Sequence, residues 1–363
     1  MKVTDVESLL LHFPTKRIIA DAHNVLDKIE LVVALVHTEE GITGTGYTLT
    51  VGTGGRIIKE AIDVYLKKAV VGQDPFNVKK IWQDMYWGET HWVGRAGVTT
   101  MAMAAVDIAI WDIMAKACEK PLWKLLGGFE KEVQVYNSDG GWLSWSSEEL
   151  ITDMTRMIEE GFKGVKMKIG QKDPWDDMKR IDAVRSALGR EVPLMVDVNQ
   201  KWDLHTALRF GKKLEDYDIF WLEEPLHPDD IEGHSKLANA LSTPIALGEH
   251  VYTKYAFRDY IDKGAVEIVQ VDVARVGGIT EFMAVAALAE SNNLAVSPHA
   301  GDAMQVHQQL LLSIPNALFL EYIPWALELF TEPVLVKDGI LQPPQTPGAS
   351  TDIKEEMILR YRV

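Results

Sequence analysis

Three acidic residues stand at the ends of three short apolar runs, each 26 residues from the next. They are Asp197 in Pro193-Leu-Met-Val-Asp-Val-Asn199, Glu223 in Ile219-Phe-Trp-Leu-Glu-Glu-Pro225 and Glu249 in Ile245-Ala-Leu-Gly-Glu-His250. A single strand-end acid is better read as the partner of some lysine; three at one spacing are not. Carboxylates brought together repel unless a cation lies among them. An all-oxygen donor set favours a hard divalent ion, Mg²⁺ ahead of Zn²⁺.

Groups able to move a proton lie on either side of that stretch. In Gly164-Val-Lys-Met-Lys-Ile-Gly170 the apolar Val165, Met167 and Ile169 alternate with Lys166 and Lys168. If the former face outer helices, both lysines point inward. Lys168 is then a candidate base, its pKa expected to be lowered by burial and by the neighbouring Lys166 charge. Further on, Leu294-Ala-Val-Ser-Pro-His-Ala300 presents His299 and Glu267-Ile-Val-Gln-Val-Asp272 presents Asp272. An Asp bonded to one imidazole nitrogen fixes the tautomer and raises the basicity of the other. Glu321, in Leu318-Phe-Leu-Glu-Tyr322, can hydrogen-bond a substrate carboxylate if crowding by other acids keeps it protonated.

The elements needed to hold these residues follow from the apolar pattern. From Val133 onward, strand-like runs alternate with helix-length segments, and strand ends are expected near Tyr136, Lys168, Asn199, Glu223, Gly248, Val271, Ser297 and Leu320. That is a parallel barrel of about eight strands, which collects chemistry at its strands' carboxyl ends. The first part differs. Residues 29–38 and 42–50, joined through Glu39-Glu40-Gly41, predict an antiparallel hairpin. A helix is expected over 99–118, where Asp107 and Asp112 on an apolar stripe read as structural acids. Gly52-Thr-Gly-Gly55 lacks a Lys-Ser/Thr pair and reads as a turn rather than a phosphate loop. Residues 332–363 show little helical period and are expected to return to the N-terminal sheet.

Composition sets the bounds. The 363 residues are 47% hydrophobic, enough for a large core and two domains. With 37 basic and 53 acidic residues the net charge is −16, which disfavours nucleic acid and anionic membranes as partners. One cysteine, Cys118, excludes an intrachain disulfide framework and suits a reducing cytoplasm.

Taken together, these motifs resemble the enolase superfamily, specifically the mandelate racemase subgroup. The likeness rests on Ala105-Val-Asp-Ile-Ala-Ile-Trp-Asp112 with its Pro121…Leu-Leu-Gly-Gly128 exit, Lys166-Met-Lys168, Asp197-Val-Asn199, Glu223-Glu-Pro225, Gly248-Glu249, Asp272 and Ser297-Pro-His299. It implies an α/β fold with an N-terminal α+β capping domain (residues 1–128), a (β/α)7β modified TIM barrel (129–331) and a returning C-terminal segment (332–363). It also implies Mg²⁺ on Asp197, Glu223 and Glu249, opposed acid/base groups Lys168 and His299, Asp272 as partner of His299, and Lys166 and Glu321 at the substrate carboxylate. The reaction expected is removal of the proton α to a carboxylate, leading to dehydration of an aldonate or aldarate to a 2-keto-3-deoxy acid. Racemisation, or cycloisomerisation of an anhydro sugar acid, is the alternative through the same enediolate. Candidate substrate contacts are His23, His91 and Arg95 in capping loops, with Asn199 and His250 beside the metal ligands; Trp87 or Trp92 is a candidate pocket wall. A cytoplasmic homo-oligomer, between dimer and octamer, is expected. Two other classes are weighed against this reading. A Schiff-base aldolase using Lys168 leaves the three acids unexplained, and a non-catalytic scaffold leaves every acid, base and ligand without purpose.

Overall fold

The chain opens with three antiparallel strands, β1 (Val3–Ala20), β2 (Val25–Thr38) and β3 (Thr43–Thr50), paired in that order. The structure, a computed structural model, describes residues 1–129, 132–301 and 303–363, with side chains at all of these except 16 and 17. Both faces of this sheet are covered, which is why β2 contains the unbroken apolar run Leu31–Val36. Leu9, Leu11, Ile29, Leu31 and Val33 enter the large core shared with the barrel. Leu10, Val32, Ala34 and Val36 enter a second core against the capping helices. Sequence reading places no strand before residue 29, yet β1 pairs with β2 as far as Pro14 and, across a register shift, again at Ile19 and Ala20.

The helix Val98–Ala117 lies directly on β3. Its approach is set by two glycines: a Cβ added at Gly46 would fall 2.0 Å from Ala105 O, and one at Gly44 would fall 2.0 Å from Ala109 O. Among the described residues this one helix is long and apolar enough to cross a membrane, and 89% of that apolar window is buried inside the fold. Its two acids are structural. Asp112 accepts from Thr45 N and Ala349 N at 2.9 and 2.7 Å. Asp107 accepts from Thr280 N and Oγ1 at 2.9 and 2.6 Å.

Eight parallel strands follow: β4 (Gln134–Asn137), β5 (Val165–Lys168), β6 (Leu194–Asp197), β7 (Leu222–Glu223), β8 (Ile245–Leu247), β9 (Ile268–Val269), β10 (Ala295–Val296) and β11 (Phe319–Tyr322). They pair in sequence order from β4 to β10. A parallel bridge from Val296 to Ala317 and the β11–β4 pairing close the ring. A helix joins each strand to the next, giving a (β/α)7β barrel. Sequence-marked N-caps start several of these helices; Ser146 and Glu149 form a reciprocal capping box at Ser147–Glu159.

The C-terminal segment divides its contacts. A hairpin, β12 (Leu335–Lys337) and β13 (Ile340–Gln342), pairs antiparallel with the start of β4. Residues 349–363 then return to the capping sheet, where Lys116 Nζ lies 2.7 Å from Asp352 and Val363 N donates to Leu10 O at 3.0 Å. The helix Glu355–Tyr361 forms there, contrary to the low helical period of the sequence. It docks by Tyr361, whose ring centroid is 4.9 Å from that of Phe13.

Candidate active site

Cross-strand register assembles the centre. Lys168 of β5 lies opposite Asp197 of β6, which lies opposite Glu223 of β7. Below them Lys166 is buried and bridges two acids: its Nζ donates to Glu223 Oε1 at 2.6 Å and lies 2.8 Å from Glu321 Oε1. Glu223 Oε2 accepts from Trp221 Nε1 and Gln270 Nε2 at 2.9 and 2.8 Å. Burial, with Asp197 and Glu321 nearby, pushes Glu223 up to about 7 in spite of Lys166. Glu321 goes the other way. Burial alone would raise it, but Lys166 and His299 hold it down at about 2. The expectation of a protonated Glu321 is therefore corrected: it is a carboxylate, accepting from Ala300 N at 2.7 Å.

At the rim, Lys168 Nζ is hydrogen-bonded to Asp197 Oδ2. Burial and Lys166 both lower its pKa as anticipated, yet the adjacent Asp197 carboxylate outweighs them and the pKa is raised. The expected depression is thus not found in this arrangement, because the register sets a carboxylate directly across from the amine. On the opposite side, His299 Nδ1 lies 2.9 Å from Asp272 Oδ2 and its Nε2 lies 2.5 Å from Glu249 Oε2. Burial disfavours the charged ring, but Glu249 and Asp272 together raise its pKa well above the ordinary value. His299 is therefore an imidazolium, with both nitrogens donating.

Six acids meet here: Asp197, Glu223, Glu224, Glu249, Asp272 and Glu321. Five basic groups, Lys166, Lys168, Arg275, His250 and His299, lie among them, so the fit to a metal rests on the donors rather than on a large excess of charge. Asp197, Glu223 and Glu249 offer only oxygen, which suits a hard divalent cation, and they are the residues that would hold Mg²⁺. Among the described residues, the set whose ligand atoms lie within 4.8 Å of one another is Glu224, Glu249 and His250. It shares only Glu249 with the expected triad. Lys166 and Lys168 hold Glu223 and Asp197 toward β5, whereas His250 Nδ1 lies 3.1 Å from Glu249 and 3.4 Å from Glu224.

Lys168, Asn199, Glu249, His250, His299 and Glu321 all line one cavity of about 140 Å³. Three of the predicted contacts do not. His23 is exposed beside it, in the turn joining β1 and β2. His91 continues a helical turn by donating its N–H to Tyr86 O, and its ring sits between Trp87 and Trp92 at 5.7 and 5.2 Å. Arg95 lines a separate outer cleft with Tyr252, Tyr255 and Arg258. Trp87 and Trp92 are exposed on that outer surface and wall nothing in the centre.

Sequence reading also missed part of the lining. Asp21 and Asn24 contribute from the β1–β2 turn, Trp142 and Trp325 from barrel loops, and Arg275 from three residues past Asp272. The Asp21-Ala-His-Asn24 pattern was a usable signal. An Asp followed three residues on by Asn predicts a turn held by the Asp side chain, which makes Asp21 rather than His23 the fixed residue.

Residues 149–357 match the family described as enolase C-terminal domain-like, and residues 8–127 match the mandelate racemase/muconate lactonizing enzyme N-terminal domain. The chain is 36% identical over 348 residues to the 3,6-anhydro-alpha-L-galactonate cycloisomerase of Streptomyces coelicolor, covering 96% of this chain and 95% of that one. It is 38% identical over 327 residues to the L-talarate/galactarate dehydratase of Salmonella typhimurium, covering 89% and 80%. The solved structure of an L-talarate dehydratase from a Polaromonas species, complexed with Mg and L-glucarate, superposes with a TM-score of 0.93 at 34% identity, covering 100% of this chain and 97% of that one.

Proposed function

The chain belongs to the mandelate racemase/muconate lactonizing enzyme family of the enolase superfamily, and from that premise we propose that it is a Mg²⁺-dependent sugar-acid dehydratase, a hydro-lyase that removes the proton α to a carboxylate. The observation that carries this reading is the placing of Lys168 and His299 on one cavity beside buried Asp197 and Glu223. When bound, Mg²⁺ supplies positive charge next to the substrate carboxylate and lowers the cost of the enediolate.

The chain's own groups account for the rest. Lys166, buried between Glu223 and Glu321, sets a fixed cation behind the lining residue Glu321, at the end of the cavity that would take the substrate carboxylate. Lys168 takes the α-proton once it leaves Asp197, since burial and Lys166 then favour its neutral amine. His299, already an imidazolium, gives a proton to the β-hydroxyl, which departs as water as the C–O bond breaks. Asp272 keeps the ring oriented throughout. The remaining enol takes a proton at carbon 3 and becomes a 2-keto-3-deoxy acid. Glu321, ionised, fixes Lys166 and the loop carrying His299 rather than donating to substrate.

A second reading has its own support, the likeness to a cycloisomerase over 96% of the chain. A 3,6-anhydro bridge leaves carbon 3 by the same elimination, opening a ring instead of releasing water. Product mass separates the two: dehydration loses one water and ring opening changes nothing. A sugar-acid library assayed for 2-keto products by mass tests both, and a library yielding only epimers defeats both. A reducing cytoplasm is supported by the lone Cys118, and a homo-oligomer by the exposed Trp87, Trp92 and Val93 on the capping domain. Residues 1–128, 129–331 and 332–363 serve as cap, barrel and returning segment.

A further inference from the structure

Four described basic side chains line the catalytic cavity: Lys168, His250, Arg275 and His299. All four come from the barrel. Each already faces a barrel carboxylate: Asp197 for Lys168, Glu249 for His250 and His299, and Asp272 for Arg275 at 3.5 Å. The facing wall comes from the capping sheet and the loop after β11. It is apolar over Ile19, Leu26, Leu49, Val51 and Trp325, and the polar groups there are Asp21 and Asn24.

Asp21 Oδ1 accepts from the backbone of His23 and Asn24, at 2.7 Å each, and Oδ2 accepts from Asn24 Nδ2 at 3.0 Å. These donors are neutral and no described cation pairs with the carboxylate, so the wall keeps a negative charge. The turn is fastened across the barrel mouth. Leu143 N donates to Ala20 O at 3.1 Å and Lys201 Nζ to Ala22 O at 3.3 Å. Ala22 also packs so closely that a Cβ at Gly170 would lie 3.1 Å from its methyl carbon.

A substrate whose carboxylate sits by Lys166 extends its carbon chain toward this wall. A second carboxylate at the far end meets the half-buried Asp21, and the like charges repel. A terminal hydroxyl instead donates to Asp21, and the C–H faces of the chain pack on Trp325 and Leu26. Resting on the α-proton chemistry proposed above, we infer that this enzyme selects monocarboxylic sugar acids, open-chain or anhydro, and rejects aldaric diacids, with Asp21 as the discriminating residue.

The test gives the full chain, with Mg²⁺, pairs of aldonic and aldaric acids of matched hydroxyl configuration. It reads kcat/KM for each acid and, separately, binding by calorimetry. The expected result is a preference of at least about tenfold for the monoacids in both readouts. Asp21→Asn retains the Oδ1 acceptor for the two backbone N–H groups and gives up only the exposed Asn24 Nδ2 bond, and it should improve diacid binding through KM with little change in thermal midpoint. Equal or better use of diacids by the wild-type chain, or no gain in diacid binding in Asp21→Asn, overturns the role of Asp21 and leaves the α-proton chemistry standing. A chain that neither binds nor converts any acid of either class overturns both.

Discussion

Lys168 and His299 reach the cavity from β5 and β10, with their charges set by different partners, Asp197 for one and Glu249 with Asp272 for the other. Single substitutions should therefore have unlike effects. In D₂O, Lys168→Ala should abolish exchange of the substrate's α-proton, whereas His299→Asn should keep that exchange and lose the 2-keto product, because only the proton donor to the β-hydroxyl is gone. Proton NMR and product assay of the recovered acid check this, and a Lys168→Ala variant that still exchanges the α-proton removes Lys168 as the base. Asp272→Asn should lower kcat by about 10² to 10⁴, with KM little changed, because it leaves the ring in place and loses the imidazolium's stabilising charge. The identities of these groups were legible in the sequence, since inward lysines and strand-end acids are costly unless they meet. Their charge states were not. Neighbours along the chain suggest that Lys166 repels Lys168; the register instead sets Asp197 across from Lys168, and attraction wins. Glu321 was misjudged for the same reason, since nothing in its local sequence announces Lys166 at 2.8 Å.

Between elements, the closest fit is the helix Val98–Ala117 on β3. Gly46→Ala would set a methyl 2.0 Å from a helix carbonyl, so the two must separate. The expected cost is about 1–3 kcal/mol, read from urea unfolding of the variant beside wild type. The same helix supplies a pH effect away from the catalytic centre. Burial, opposed by the Thr280 bonds, pushes Asp107 up to about 7 from 3.8. A carboxyl whose folded pKa lies above its unfolded one gives stability that is full below pH 3.8 and declines as pH rises through about 7. Its contribution should fall by about 1.4 kcal/mol per pH unit across that window. Asp107→Asn should flatten this part of the pH–stability curve, measured by denaturation at fixed temperature; an unchanged slope would rule the effect out. At this scale the barrel was readable: all eight expected strand ends fall within two residues of those observed. Buried parallel strands are short apolar runs ending in polar residues, and that contrast survives in sequence. β1 was unreadable because its pairing is broken by a register shift between Pro14 and Ile19, and the helix Glu355–Tyr361 because docking by Tyr361 stabilises a segment too short to show a period.

For the molecule as a whole, six acids converging on one end of the barrel should couple metal to folding. Mg²⁺ at 100 times its Kd should add about 2.7 kcal/mol of stability and raise the thermal midpoint. Glu223→Gln should shrink that increment, and exhaustive chelation should abolish turnover. Calorimetric scans with and without metal measure the first; full activity with no metal recoverable from the protein would remove the assignment. Residues 349–363 bear on a different matter, the order in which the ribosome delivers the parts. Thr351 Oγ1 bonds to Thr45 O across 306 residues, and Ala349 N to Asp112 Oδ1 across 237. The capping sheet is made before the barrel and lacks this seam until residues 349–363, which follow the barrel, have been translated. The turn that shuts the cavity mouth rides on that sheet, so the mouth is set only after the seam has formed. A product of translation interrupted before residue 349 carries its barrel strands under an unsealed cap.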